Sequence, residues 1–235
     1  MLILALDTTT SACSAALVRE GKLVAEVTTN IPRTHSQRLM PLMDSLFREA
    51  DAEPRDLHLI AVSRGPGSFT GLRIGIATAK GLGLALDLPV VGVSTLAVLA
   101  HNFSGAGLVC PALNARRDQV YTGLYRCGDG APQPLLADQA LAASELMDLL
   151  SAYDEPIWFC GDGVDIVWQA AGNLPAPRRL PLHQRLNRAA ALADLALAIY
   201  AREGGTHPDQ LTPLYLRESQ AELQWRRKQE AGHGC

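Results

Sequence analysis

Near the start of the chain, apolar residues come in three short runs. Residues 2–6 and 13–18 bracket the polar TTTSA, and 22–28 follows Glu20-Gly21. That pattern predicts three strands joined as a meander. The period then changes. Leu39, Leu42, Met43, Leu46 and Ala50 fall at helical spacing, and Thr34 or Ser36 is placed to cap the first turn. LHLIAVS (57–63) and LPVVGVS (88–94) read as buried strands. Between them lies a glycine-rich stretch whose residues 70–86 read as a helix.

The same order returns in the second half. ALNARRDQVYTGLYRCGDG (112–130) lies over ALDTTTSACSAALVREGKL (5–23) at a constant offset of 107, so that Asp7 meets Asn114, Leu17 meets Leu124 and Gly21 meets Gly128. A helical ASELMDLLSAY (143–153), a strand PIWFC (156–160), a loop GDG (161–163) and a helix over 187–203 follow. Repetition of this length predicts two α/β lobes of like topology, each a mixed sheet with flanking helices. The expected division is 1–104 and 105–217, with a terminal helix of the second lobe able to exchange onto the first. A polar tail over 218–235 is expected to be mobile.

Composition narrows the function. At 235 residues and 48% hydrophobic, the chain has enough apolar surface for a sizeable core or two small lobes. Its formal net charge of -3 gives no overall basic field to draw in a nucleic acid or an anionic membrane. Any RNA contact is therefore expected to be indirect. Arg116-Arg117, Arg178-Arg179 and Arg226-Arg227-Lys228 read as solvated surface. The five cysteines, at 13, 110, 127, 160 and 235, form no C-x-x-C pair and read as reduced, buried thiols. MLILALD runs straight into a strand without a basic leader, and Asp87 and Pro89 interrupt the most apolar stretch, so a soluble cytoplasmic protein is expected.

RGPGSFTGLRIGIATAKGLG (64–83) holds six glycines in twenty positions. Each glycine inside a helix costs about 1 kcal/mol relative to alanine, so the stretch needs a compensating reason. It lacks the Lys-Ser/Thr ending of a phosphate-binding G-x-x-x-x-G-K-[ST] loop. Gly71, Gly75, Ala79 and Gly83 instead recur every fourth residue and form one shallow row that lets another backbone come close. That neighbour is either the protein's own sheet or 36–50 helix, or a helix pair of another subunit. The second alternative makes Leu39, Leu42, Met43, Leu46, Gly71, Leu72, Gly75, Ile76, Ala79 and Gly83 a docking surface.

A meander followed by alternating helices and strands, given twice, resembles the actin-like ATPase superfamily of sugar kinases and chaperone ATPase domains. The resemblance implies an ATP cleft between the lobes, with hairpin turns gripping phosphate and carboxylates holding Mg²⁺. Asp7 stands where that superfamily keeps an acidic residue near Mg²⁺. The first turn, TTTSA, has no glycine, however, and the second reads Asn114-Ala115-Arg116-Arg117. A complete ATPase site is not expected. Asp7, Thr8, Thr9, Thr10, Arg64, Gly65 and Gly67 are left as candidates for a residual nucleotide or anion contact.

ALDTTTSACSAAL, AVSRGPGSFTGLRIGIATAKGLGLAL, PVVGVSTLAVLA, ALNARRDQVYTGLY and TPLYLRE (212–218) are similar to the TsaB (YeaZ) family. The resemblance implies a part in bacterial synthesis of N6-threonylcarbamoyladenosine in tRNA, beside the catalytic paralogue TsaD and the ATPase TsaE. It implies pairing with TsaD through helices 36–50 and 70–86, a homodimer when the chain is alone, and tRNA reached only through the complex. In TsaD the strand equivalent to PVVGV leads into a metal-binding H-x-x-x-H pair; here those positions are Thr95 and Leu99. None of the six histidines replaces the pair, and neither H-E-x-x-H nor G-x-S-x-G occurs. A non-catalytic scaffold without metal or cofactor is expected. A working ATPase or small-molecule kinase is the alternative, and a plain homodimeric structural protein is a third.

Overall fold

The computed structural model describes residues 1–31 and 33–217. Two five-stranded sheets share one topology. The first contains β1 (Leu2–Asp7), β2 (Cys13–Arg19), β3 (Lys22–Thr29), β4 (Leu59–Gly65) and β5 (Val90–Ser94), in the order β3-β2-β1-β4-β5. The second contains β6 (Gly107–Arg116), β7 (Gln119–Cys127), β8 (Gln133–Ala142), β9 (Ile157–Cys160) and β10 (Pro177–Arg179), in the order β8-β7-β6-β9-β10. In both, the meander pairs antiparallel and the last two strands join parallel. The duplication read from the 107-residue offset is therefore present in the strand order.

Alternation along β1 fixes which helices cover which face. Leu2, Leu4 and Leu6 point into a core with α1 (His35–Glu49) and α2 (Phe69–Leu86). Ile3 and Ala5 point the other way, against α6 (Ala189–Glu203), which supplies Leu192, Ala193 and Ala196. A strand buried on both faces reads as an unbroken apolar run, as LILAL does. In the second sheet, Leu108, Cys110 and Ala112 of β6 face α4 (Ala143–Leu150) and α5 (Val164–Ala170). Val109 and Leu113 face α3 (Thr95–His101), through Leu96 and Leu99. So α3, which follows the first sheet in the chain, covers the second, and α6, which follows the second, covers the first.

The start of α6 is held across the lobes. A helix's first N–H groups have no partners of their own. Here Ala189 N donates to Ser14 Oγ at 2.9 Å and Ala190 N to Glu26 Oε1 at 3.0 Å, while Arg188 pairs with the same Glu26. The Glu26 carboxylate is almost fully buried and sits where the helix dipole favours negative charge. Thr34, by contrast, occupies the cap position of α1, but its hydroxyl meets Ser36 Oγ rather than a helix N–H.

The glycine row of α2 faces inward, which corrects the docking surface expected from sequence. A Cβ at Gly71 would overlap the Thr8 carbonyl, one at Gly75 would lie 2.5 Å from Thr8 Oγ1, and one at Gly83 would lie 2.7 Å from Pro208 Cγ. Leu39, Met43, Leu46, Leu72, Ile76 and Ala79 are buried in the same core, and Leu42 packs against it. Residues two positions along point some 200° away around a helix. Ala77, Gly81, Leu84 and Ala85 accordingly form the exposed side of α2, and Met40 lies exposed on α1.

Four cysteines, 13, 110, 127 and 160, are buried free thiols. Burial pushes Cys110 up to about 12 and Cys13 and Cys127 up to about 11, so all three stay protonated. Cys235, the expected tail and its Arg226-Arg227-Lys228 cluster lie outside the described residues. No helix among the described residues is long and apolar enough to cross a membrane.

Candidate functional site

The β1–β2 turn and the β6–β7 turn face each other across a cleft of about 630 Å³. The first turn, and on the other side the β6 strand leading into the second turn, each rest on the start of a helix. On the first side, Ser68 N donates to Thr9 O at 2.7 Å, and a side chain at Gly67 would overlap that carbonyl. On the second, Gly163 N donates to Ala112 O at 2.9 Å, with Gly161 closely packed on the same carbonyl. Both helix starts need glycine for this approach, the role the glycine-rich stretch left open.

Asp7 lies under the first turn and is fully buried. Oδ1 accepts from Thr9 N at 2.9 Å and Thr9 Oγ1 at 2.7 Å; Oδ2 accepts from Ser63 Oγ at 2.5 Å and Asn187 Nδ2 at 3.0 Å. Four donors fill the lone pairs of a carboxylate. Asp7 therefore ties the turn, β4 and the residue pair leading into α6 together, and it does not line the cleft. Thr8 does not line it either, because its hydroxyl is turned to Gly71 O at 2.7 Å. Arg64 and Gly65 are elsewhere: Arg64 O accepts from Leu214 N at 2.7 Å, and Gly65 packs beneath the Leu214 carbonyl. Of the seven sequence candidates, Thr9, Thr10 and Gly67 reach the cleft.

Other cleft residues carried no functional signal in the sequence. His35 Nε2 donates to Thr10 O at 2.8 Å, so Nδ1 accepts from Arg38, 3.1 Å away. Burial, and then the Arg38 charge, lower the His35 pKa, and the ring stays neutral. Arg38 also donates to Ser11 O at 3.0 Å and Thr29 O at 3.1 Å, which locks the turn to the end of β3. Opposite, Arg116, Arg117 and Asp118 have φ of 66°, 54° and 57°, a left-handed run held in part by Arg116 N donating to Asn114 Oδ1 at 2.8 Å. Asp162 accepts from Asn114 N at 2.9 Å. Cleft solvent reaches it, but protein encloses most of it, and that enclosure raises its pKa.

The positions at which the sequence placed a lost histidine pair are both interior. Leu99 is core, and Thr95 Oγ1 is buried without a hydrogen-bond partner. Beside them Asp138 accepts from Ser94 Oγ at 2.5 Å and from Tyr125. No group of three or more His, Cys, Asp or Glu side chains gathers in a metal-binding arrangement among the described residues.

Known proteins are similar to this chain over nearly its whole length. The Bacillus subtilis "tRNA threonylcarbamoyladenosine biosynthesis protein TsaB" is 37% identical over 96% of this chain and 98% of its own length. The chain belongs to the TsaB (YeaZ) family. "YeaZ from Pseudomonas aeruginosa" superposes with a TM-score of 0.81 at 35% identity, covering 92% of this chain and 99% of that one. The sequence model of the wider family, described as "TsaD: tRNA N6-adenosine threonylcarbamoyltransferase", matches residues 22–225. At the level of fold alone, the ethanolamine utilization protein EutJ of Carboxydothermus hydrogenoformans superposes with a TM-score of 0.53 at 14% identity, covering 82% of this chain and 89% of that one. The chain thus has the actin-like fold that its repeated meander suggested.

Proposed function

We propose that this chain is the non-catalytic subunit of a tRNA threonylcarbamoyl transferase, acting in the cytoplasm beside the TsaD paralogue and the ATPase TsaE and touching tRNA through the complex. One observation carries the reading. The carboxylate that an actin-like ATPase would turn toward Mg²⁺ is here buried under four donors and helps hold the chain leading into α6. An interior Leu99 and Thr95 at the positions of the TsaD histidines support the same reading. Our reading puts the docking helices at α1 and α2, as the family resemblance implies. Their free faces, Met40 on one and Ala77, Gly81 and Leu84 on the other, are the surface we assign to TsaD or, in its absence, to a second copy.

Gly81 has nothing within 4 Å of a built Cβ, so Gly81→Leu and Leu84→Glu change this face without touching the core. Size-exclusion chromatography with the purified TsaD paralogue tests the assignment. Neither variant is expected to lower the melting temperature, and both are expected to lose co-elution. Undiminished co-elution of both removes this face from the reading. Steady hydrolysis of Mg-ATP by the isolated chain would replace the scaffold with an enzyme.

A further inference from the structure

A second cavity, of about 360 Å³, lies where the last turn of α3, the β7–β8 connection and the middle of α6 meet. It is separate from the cleft. β7 leads away from the β6–β7 turn for nine residues and ends at Cys127, on the wall of this cavity, roughly 25–30 Å on. Because α3 and α6 each cover the other half's sheet, the cavity sits at their crossing and takes walls from both halves. Its volume falls in the range of small-molecule sites, roughly 300–1,000 Å³.

The side chains on its walls have spent their donors and kept their acceptors. A carboxylate can only accept, so His101 Nε2 donates to Asp194 Oδ2, at 2.7 Å. That fixes the tautomer of the neutral ring. Its Nδ1 is then an acceptor, and neither Nδ1 nor Asp194 Oδ1 has a hydrogen-bond partner among the described residues. The Cys127 thiol is turned to Ala100 O at 3.5 Å, and burial pushes its pKa up to about 11, which keeps the proton in place.

The charge on these walls has one sign. Among the described residues no lysine or arginine lines the cavity, and the neighbouring cations along the chain, Arg126 and Arg202, pair with Glu155 and Glu203. Asp129, in the connection between the lining Gly128 and Gly130, adds a second exposed carboxylate. Phe103, Pro132, Leu195 and Ala198 supply apolar surface, the first of them an aromatic ring of the kind that attracts a cation. A ligand suited to these side chains brings its own N–H donors, a positive charge and an apolar body.

We infer that this cavity binds a small organic cation, an ammonium or guanidinium group on a hydrocarbon stem, with the head at Asp194 and His101 and the stem along Leu195 and Phe103. The inference does not rest on the scaffold reading, since neither α1 nor α2 contributes a wall.

Two-dimensional amide NMR of the full chain, titrated with n-pentylamine, its neutral counterpart n-pentanol, agmatine and amide-capped arginine, tests it. The amines are expected to shift the signals of residues 128–131 and of α6 around Asp194 with Kd of about 1 mM or tighter, and pentanol about tenfold more weakly or not at all. Asp194→Asn keeps an acceptor for His101 and removes the charge, and is expected to weaken pentylamine about tenfold or more. Ala198→Trp, at an exposed position, keeps the carboxylate but fills the cavity, and is expected to abolish the shifts while the chain stays folded. Capped arginine binding at least as tightly as agmatine assigns a side chain of a partner protein, and tighter agmatine assigns a free amine; both support the inference. Silence of all three cations at about 10 mM, equal binding of pentanol, or undiminished binding by either variant would overturn it. So would shifts spread alike over exposed carboxylates such as Asp148.

Discussion

At Gly75 an added Cβ would sit 2.5 Å from Thr8 Oγ1, whereas at Gly81 it would meet open space. The two glycines share a helix and differ only in the face they occupy. Gly75→Leu is therefore expected to cost about 3 kcal/mol or more in denaturant unfolding, by forcing α2 off the β1–β2 turn. Gly81→Ala is expected to stabilise by up to about 1 kcal/mol, because alanine restricts the unfolded chain and suits the helix. Asp7→Ala should be among the most damaging single changes, at about 3–5 kcal/mol, since it strands the buried donors of Thr9, Ser63 and Asn187. His35 links stability to pH. Its folded pKa is lowered from 6.5, so between that lower value and 6.5 the unfolded chain binds more protons. The stability it contributes is complete above 6.5 and falls as the solution is acidified through that window. Denaturant unfolding at about pH 7.5 and pH 5 should show the wild type losing more than His35→Asn.

Single elements were legible where one period dominated. The meander, α1, β4 and α6 could be read within a few residues of where they lie, because each alternates or spirals cleanly between core and surface. The side of α2 that faces inward was not legible. Both of its rows, Gly71-Gly75-Ala79-Gly83 and Ala77-Gly81-Ala85, are small, and only the Thr8–Thr9 carbonyls decide between them. β8 slips from the 107-residue register because the two-residue turn Glu20-Gly21, at φ 51° and 71°, becomes the longer connection from Gly128 to Pro132. The short Pro177–Arg179 strand carries no apolar pattern at all. The cleft was hidden for another reason: its cations arrive from separate parts of the chain, and Arg116-Arg117 alone reads as a solvated pair. At the start of α6, Ser14→Ala is expected to cost about 1–2 kcal/mol by leaving Ala189 N unpaired, measured by thermal unfolding.

The crossing of α3 and α6 is expected to make the two described halves unfold as one cooperative unit. Leu192 is fully buried against the first sheet although it belongs to the second half of the chain. Leu192→Ala should cost about 2–5 kcal/mol and lower a single calorimetric transition; two separately shifting transitions would contradict that cooperativity. The same crossing sets an order on synthesis. While the chain is still leaving the ribosome, Ile3, Ala5, Ala16 and Val18 lack the α6 residues Leu192, Ala193 and Ala196 that cover them, until that segment has been made. The first strands translated are thus among the last to be fully sheltered, and the nascent protein travels most of its length with an apolar sheet face open to chaperones.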